Sequence, residues 1–404
     1  MIPYGRQWIT PEDVASVVAI LSSDHLTQGP AIPRFQDAIR VACSAPHAIA
    51  VNSATSGLHI ACLALGLGPG TWLWTSPNSF VASANVARLC GAEVDFVEID
   101  PDTLNMCPTQ LRDKLETARR LGRLPHIVMP VHFGGTPCDM QAIHALARDY
   151  GFRVIEDASH AIGARHDTGP IGDCRYSDAC VFSFHPVKIV TTGEGGVITT
   201  RDDRLATQLD RLRSHGITRD PAMMTRDSDG PWYYQQLDLG LNYRMTDMQA
   251  ALGTSQMQRL DQFISLRHRL ASRYDAALTG LPLLRPRRDL AGRSALHLYP
   301  VQLDPSLPDR ASLRRRLFAH MRARGVGVNV HYIPIHTQPY YRALGFAPGQ
   351  YPIAETYYEG ALSLPLHPQM SDDDQAAVIT HLTSGLASLG LVRACVAQHL
   401  RTVP

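Results

Sequence analysis

From residue 72 to residue 200, short apolar stretches alternate with longer amphipathic ones, and nothing else in the chain restricts its fold as much. The stretches 72–76, 94–99, 126–131, 152–156, 179–184 and 196–200 read as strands, and 79–90, 108–121 and 138–150 as helices between them. This alternation predicts an α/β domain built on a largely parallel sheet. Such sheets bind ligands beyond the carboxyl ends of their strands. The residues just after each strand are therefore the ones to read for chemistry.

After the stretch 179–184 comes His185-Pro-Val-Lys188-Ile-Val-Thr-Thr-Gly-Glu-Gly-Gly196. Pro186 cannot donate to a sheet ladder and ends the strand. Gly193, Gly195 and Gly196 permit tight turns before the next strand. Lys188 is thus held in a loop between two apolar strands. Desolvation there would lower its pKa and make it a nucleophile for carbonyl carbons, although a plain surface lysine on a hairpin fits the same spacing. Asp157 directly follows another strand, where an unpaired carboxylate is costly. It either caps the residues from 158 onward or faces a buried cation. Phe80, beyond 72–76, either joins the core or stacks on a flat ring. Upstream, the short strand His47 to Val51 runs into Asn52-Ser-Ala-Thr-Ser-Gly-Leu58 and a helix reaching about Leu65. Small residues at that turn let backbone N–H groups approach an anion, at Ala54 and Thr55. A simple N-cap by Ser53 or Thr55 is the other reading.

The rest of the chain supplies a frame. Thr10, Pro11, Glu12 and Asp13 open a helix over 10–22, and a shorter helix covers 33–42. A helix spans 201–215, followed by a surface loop from Gly216 to Pro231 rich in Asp, Arg, Gly and Pro. Thr246 and Gln249 form a capping box for one long helix reaching about Leu278. A Pro- and Arg-rich piece, Leu281 to Arg293, comes next. Strands at 297–303 and 326–332 flank a helix at 311–324, and helices are expected at 354–363 and 371–388. A chain of 404 residues is too long for one ordinary core. The boundary is placed near residue 255, giving a large domain over 1–255 and a small C-terminal α/β domain over 256–404.

Composition removes several classes of function. The net charge is +1 with no dense basic run, which argues against nucleic acid. No apolar run reaches the roughly 18 residues of a membrane span, and the opening residues lack the apolar centre of a signal peptide. Eight cysteines, Cys395 among them, form no Cys-x-x-Cys pair, so neither a zinc ribbon nor a disulfide scaffold is indicated. A cytoplasmic enzyme without a metal is the expectation.

An anion cradle at Ala54 and Thr55, an aromatic at Phe80, a buried acid at Asp157 and a loop lysine at Lys188 are the parts that pyridoxal 5'-phosphate requires. Its aldehyde needs an amine, its ring nitrogen a carboxylate, its plane a cover and its phosphate N–H and hydroxyl donors, with Ser183 a further candidate.

The chain also resembles a known family over nearly its whole length. Leu26-Thr-Gln-Gly-Pro30, Asn52-Ser-Ala-Thr-Ser-Gly-Leu58, Glu156-Asp-Ala-Ser-His160, Ser183-Phe-His-Pro-Val-Lys188, Gly193-Glu-Gly-Gly196 and Gly240-Leu-Asn-Tyr-Arg-Met-Thr-Asp247 resemble the sugar-nucleotide aminotransferases of the DegT/DnrJ/EryC1/StrS group. The resemblance implies the fold type I architecture of pyridoxal-phosphate-dependent transferases. It implies that Lys188 holds the cofactor and moves protons, that Asp157 pairs with the ring nitrogen and that His160 sits by a cofactor oxygen. Phe80 would cover the ring, and Ala54, Thr55 and Ser183 would bind the phosphate. Asn242 would reach the same phosphate from the other subunit of a homodimer. The family also holds a dehydratase branch with histidine in place of the lysine, and the lysine here argues for amine transfer. Ile2-Pro-Tyr-Gly-Arg-Gln7, Ser214-His-Gly-Ile-Thr-Arg219, Trp232-Tyr-Tyr234 and Val330-His-Tyr-Ile-Pro-Ile-His336 are most similar to the pseudaminic acid branch. That branch implies glutamate as donor and C4 of a UDP-linked 4-keto-6-deoxy-N-acetylhexosamine as acceptor, with Tyr4, Arg219, His331 and Tyr332 near the sugar nucleotide. Branches that act on dTDP- or GDP-linked keto sugars share every cofactor residue. For His331, a satisfied strand-end histidine is an equal alternative.

Overall fold

The computed structural model describes residues 1–288 and 292–392, which leaves Cys395 and residues 289–291 of the Pro- and Arg-rich piece outside the described residues. The large sheet has seven strands: β1 (His47–Val51), β2 (Trp72–Thr75), β3 (Glu93–Phe96), β4 (Ile127–Met129), β5 (Arg153–Asp157), β6 (Ala179–Ser183) and β7 (Gly196–Thr200). Their spatial order is β1-β7-β6-β5-β4-β2-β3. From β6 to β3 all neighbours run parallel, and β7 alone runs antiparallel to β1 and β6. The expected α/β class and its mixed sheet are therefore present. The strands expected at 72–76, 94–99, 126–131 and 179–184 stop short at their carboxyl ends, where the chain leaves the sheet.

Alternation along the strands sends side chains to opposite faces. Val51, Val181 and Ile198 pack with Leu58 of helix α1 (Ala54–Ala64) on one side. Ala50, Cys180, Phe182 and Val197 pack with Phe35 and Ile39 of the helix Ala31–Cys43 on the other. Phe182 is fully buried, so its truncation to alanine would cost about 3–5 kcal/mol.

The small unit has a three-stranded antiparallel sheet of Leu283–Leu284, Tyr299–Leu303 and Ala361–Leu364, backed by the helices Arg310–Ala323 and Asp372–Ser388. Three expectations change here. The stretch 326–332 is not a strand: it makes isolated bridges only, Val326 to Ile2 and Asn329 to Ser363. The helix expected over 354–363 ends at Gly360, and Ala361–Leu364 takes the strand position instead. The single long helix from Thr246 is two helices, Asp247–Met257 and Leu260–Ala277. The break at Gln258–Arg259 has a tertiary cause. Ser255, Gln256 and Arg259 all turn onto the carboxylate of Asp13, which is fully buried.

The second of those helices spans both cores. Leu260, Phe263 and Ile264 pack with the large sheet, while Leu270, Ala271 and Tyr274 pack with the small one. Ile2 and Tyr4, at the start of the chain, join the small unit through Gly325, Gly327 and Leu366. We propose the division 1–255 and 256–404 on this frame, with the N-terminal residues reaching across it. Among the described residues, no helix is long and apolar enough to cross a membrane.

Candidate active site

The carboxyl ends of β1, β5 and β6 and the start of β7 open onto one cavity of about 550 Å³. Lys188 reaches it from the loop after β6, which is tied down by hydrogen bonds from the Lys188 amide to His185 O (2.8 Å) and from the Thr192 amide to Phe184 O (2.9 Å). The side chain is half-buried and lines the cavity together with Asp157 and His160. Burial pushes its amine down to about 8, against the opposing attraction of Asp157. A fraction of it is therefore unprotonated near neutrality and free to attack a carbonyl carbon.

Asp157 is the last residue of β5 and is buried. Ser83 Oγ donates to its Oδ2 at 2.7 Å, while Ser159 donates to Oδ1 through both its hydroxyl (2.6 Å) and its amide (3.1 Å). These hydrogen bonds satisfy acceptor sites on both carboxylate oxygens and fix the plane of the group. On the other face of β5, Glu156 accepts from His132 Nε2 at 2.8 Å and from Ser177 Oγ at 2.5 Å, which anchors the strand end. Sequence reasoning found Asp157 but not Ser83. Ser159 is an Asx-turn partner two residues on and was detectable; Ser83 carries no local signal.

His160 is buried, and its Nδ1 accepts from the Gly134 amide at 3.3 Å. Burial, and after it the positive charge of Lys188, push its pKa far down, so the ring is neutral with its proton on Nε2. That proton goes to the hydroxyl of Tyr332 at 3.0 Å. His297 lies 4.5 Å away, ring to ring, and was not foreseen. Its backbone oxygen, with those of Leu296 and Leu366, accepts from the buried guanidinium of Arg267.

The helix α1 opens on the cavity with Ala54 and Thr55. Ser53 caps it, accepting from the Ser56 amide at 3.1 Å, so the N-cap reading of that turn is correct, and the capped helix start lines the cavity. The adjoining Gly196 is required: a Cβ there would lie 2.7 Å from Ala54 N. Ser183 lines the same wall, and Phe80, 60% exposed, stands at the mouth with its ring 6.5 Å from Tyr332. Tyr4 and His331 lie on the opposite wall, their rings 5.5 Å apart. His331 hydrogen-bonds Ser363 Oγ at 2.8 Å, and burial together with Lys188 pushes it down to about 3. It is thus both a satisfied histidine and a cavity residue.

Two expected residues are not brought to this cavity. Asn242 is exposed, with its backbone oxygen bonded to Asn52 Nδ2 at 3.4 Å, and Arg219 is exposed after the short hairpin strand Ile217–Thr218. Neither lines the cavity within one chain.

The residues present fit pyridoxal phosphate: a depressed amine, a hydroxyl-braced carboxylate, and a helix start cleared of side chains for a phosphate. A family model for DegT/DnrJ/EryC1/StrS aminotransferases matches residues 7–383. The chain is 39% identical over 382 residues to the spore coat polysaccharide biosynthesis protein SpsC of Bacillus subtilis, covering 94% of this chain and 95% of that protein. Spr1654 of Streptococcus pneumoniae, solved in a PMP form, superposes with a TM-score of 0.87 at 25% identity, covering 96% of this chain and 100% of that one. PseC of Helicobacter pylori, an aminotransferase involved in pseudoaminic acid biosynthesis, superposes with a TM-score of 0.86 at 26% identity, covering 96% and 99%. By sequence, fold and the contents of this cavity, the chain belongs to the DegT/DnrJ/EryC1/StrS family of pyridoxal-phosphate-dependent sugar aminotransferases.

Proposed function

We propose that the enzyme moves the amino group of glutamate to C4 of a nucleotide-linked 4-keto-6-deoxy sugar. The favoured acceptor is UDP-2-acetamido-2,6-dideoxy-β-L-arabino-hex-4-ulose, a UDP-4-keto-6-deoxy-N-acetylhexosamine of pseudaminic acid assembly. The observation that carries amine transfer is Lys188, its amine lowered to about 8 and sharing one cavity with Asp157. The likeness to PseC and the run from Val330 to His336 support the acceptor.

When bound, pyridoxal phosphate supplies an aldehyde that captures amines and a ring that stores electrons. Asp157 would hold the ring nitrogen's proton. Ala54, Thr55 and Ser183 would bind the phosphate, and Phe80 would cover one face and exclude water. Lys188 would take the proton from the donor's α-carbon and return one to the sugar's C4. His160 stays neutral beside it and holds Tyr332. Tyr4, His331 and Tyr332 form the wall that the sugar nucleotide would meet.

We further propose a homodimer in which Asn242 and Arg219 serve the partner's cavity, since neither lines its own. Val14, Val18 and Leu21, each more than half exposed, form one apolar stripe on the helix Pro11–Leu21 that a second copy would cover. A cytoplasmic setting is supported by the free thiols of all seven described cysteines.

The test is incubation with glutamate and a panel of UDP-, dTDP- and GDP-linked 4-keto sugars, read by mass. A gain of an amine on the UDP-linked N-acetyl sugar alone supports the reading. Amination of a dTDP- or GDP-linked sugar instead replaces the acceptor, and loss of an oxygen without gain of an amine replaces the reaction.

A further inference from the structure

We infer that Tyr332 donates the hydrogen bond that polarises the substrate's keto oxygen, and that His160 is the positioning residue that turns the Tyr332 hydroxyl toward it. The inference rests on the amine-transfer reading above and adds the group that meets the acceptor. A phenol has one proton. The His160 Nδ1 accepts from the Gly134 amide, so the ring proton lies on Nε2 and points at Tyr332 Oη, 3.0 Å away. Tyr332 must therefore accept from His160, and its own proton is left for a different partner. Among the described residues the hydroxyl has no second hydrogen-bond partner, and the residue lines the cavity that also holds Lys188.

The ring itself has little freedom. It lies nearly parallel to the His160 ring, at an interplanar angle of 12° with centroids 6.1 Å apart, meets Phe133 edge-on at 6.2 Å, and has its backbone amide bonded to Asn78 Oδ1 at 3.2 Å. What remains free is the direction of one O–H bond. Burial, reinforced by Asp157, pushes the phenol's pKa up, so the group stays protonated across the physiological range. Its near neighbours favour a neutral acceptor. His160 and His331 are both uncharged, and the nearby carboxylate of Asp157 would repel an anionic substrate group. A carbonyl oxygen, on which negative charge grows only as its carbon is attacked, matches an O–H donor in such a place. The oxygen leaves as water with the two protons of the attacking amine, so Tyr332 donates a hydrogen bond and keeps its own proton.

The two halves of the reaction separate this role from others, because only the second involves a keto sugar. In holoenzyme carrying Tyr332→Phe, the glutamate half, followed by cofactor absorbance, keeps its wild-type rate. The half with UDP-linked 4-keto-6-deoxy-N-acetylhexosamine slows on the order of 10² in kcat, with KM little changed. His160→Phe, which keeps a flat ring there and removes both ring nitrogens, slows the same half, and the double variant is no slower than Tyr332→Phe alone. Equal slowing of both halves, or no slowing of either, overturns the assignment to Tyr332. Losses that multiply in the double variant overturn the positioning role of His160. A wild-type enzyme that completes the glutamate half but aminates no keto sugar overturns this inference together with the reading beneath it.

Discussion

Ser83 gives its hydroxyl proton to Asp157 Oδ2 at 2.7 Å, linking the start of the helix Ala82–Leu89 to the end of β5. The same serine hydroxyl lies 2.7 Å from Ser79 Oγ, so the carboxylate is held from the side of Phe80 as well as by Ser159. Replacing Ser83 with alanine removes one of these holds and leaves those from Ser159. Steady-state activity should fall about tenfold, in line with about 1.5 kcal/mol for a hydrogen bond to a charged group. Asp157→Asn should lose roughly 10² to 10⁴ in rate, because the amide cannot keep the cofactor ring cationic. Parallel assays of the two variants check the ranking.

Lys188→Ala should abolish formation of the aminosugar, and borohydride should no longer fix cofactor to the chain. Cofactor still attached after reduction and denaturation of this variant would move the covalent site elsewhere.

The amine of Lys188 also sets a pH window. It is protonated below about 8 and unprotonated above. Capture of pyridoxal phosphate by cofactor-free enzyme should therefore speed up as pH rises through about 8 and level off beyond. Asp157 attracts the protonated form, so Asp157→Asn should move the midpoint to lower pH. Stopped-flow absorbance measures both; an upward move would contradict the attraction.

Gly196→Ala places a methyl group 2.7 Å from both Ala54 N and Ser53 C, against backbone that cannot step aside. Overpacking of this kind costs about 1–3 kcal/mol. It should act on the mouth of α1, weakening cofactor binding roughly 10- to 100-fold if the strain is relieved by moving the helix start. Cofactor titration followed by absorbance, beside thermal melting of the cofactor-free protein, tells the two effects apart.

Asp13 is the stability counterpart. Burial raises its pKa, but hydrogen bonds from Ser255, the Thr10 amide, Gln256 and Arg259 outweigh burial and hold it below the ordinary carboxylate range. Its contribution is complete above the unfolded value of about 4 and is lost as pH falls through the lower folded value. Asp13→Ala leaves Arg259 facing a cavity and should cost about 3–5 kcal/mol. Denaturant unfolding at neutral pH measures it, and the gap from wild type should narrow in acid.

What the sequence disclosed and what it withheld divide along sequence separation. Lys188, Asp157 and the turn at Ala54 were legible because each lies at the carboxyl end of a strand or within five residues of it, so local signals locate them on the sheet. The break at Gln258–Arg259 was hidden because its cause, Asp13, lies some 240 positions away in sequence. The strand Ala361–Leu364 was hidden for a related reason. Its four residues follow a helix with no turn residues between the two beyond Gly360, and pairing with Tyr299–Leu303 makes the choice. Ser363, which bonds His331 from 32 positions away, belongs to the same class of contact.

The single reversed strand has a metric consequence. Val51 and Ser183 are both paired across from Gly196, so one strand's width lies between each of them and β7. The helix mouth and the lysine loop thus spring from points two strand spacings apart, about 9–10 Å. The sheet acts as a gauge: a molecule must match that span to be gripped at both ends, and a free aldehyde or a free phosphate, each touching one end, would be held by half the grip.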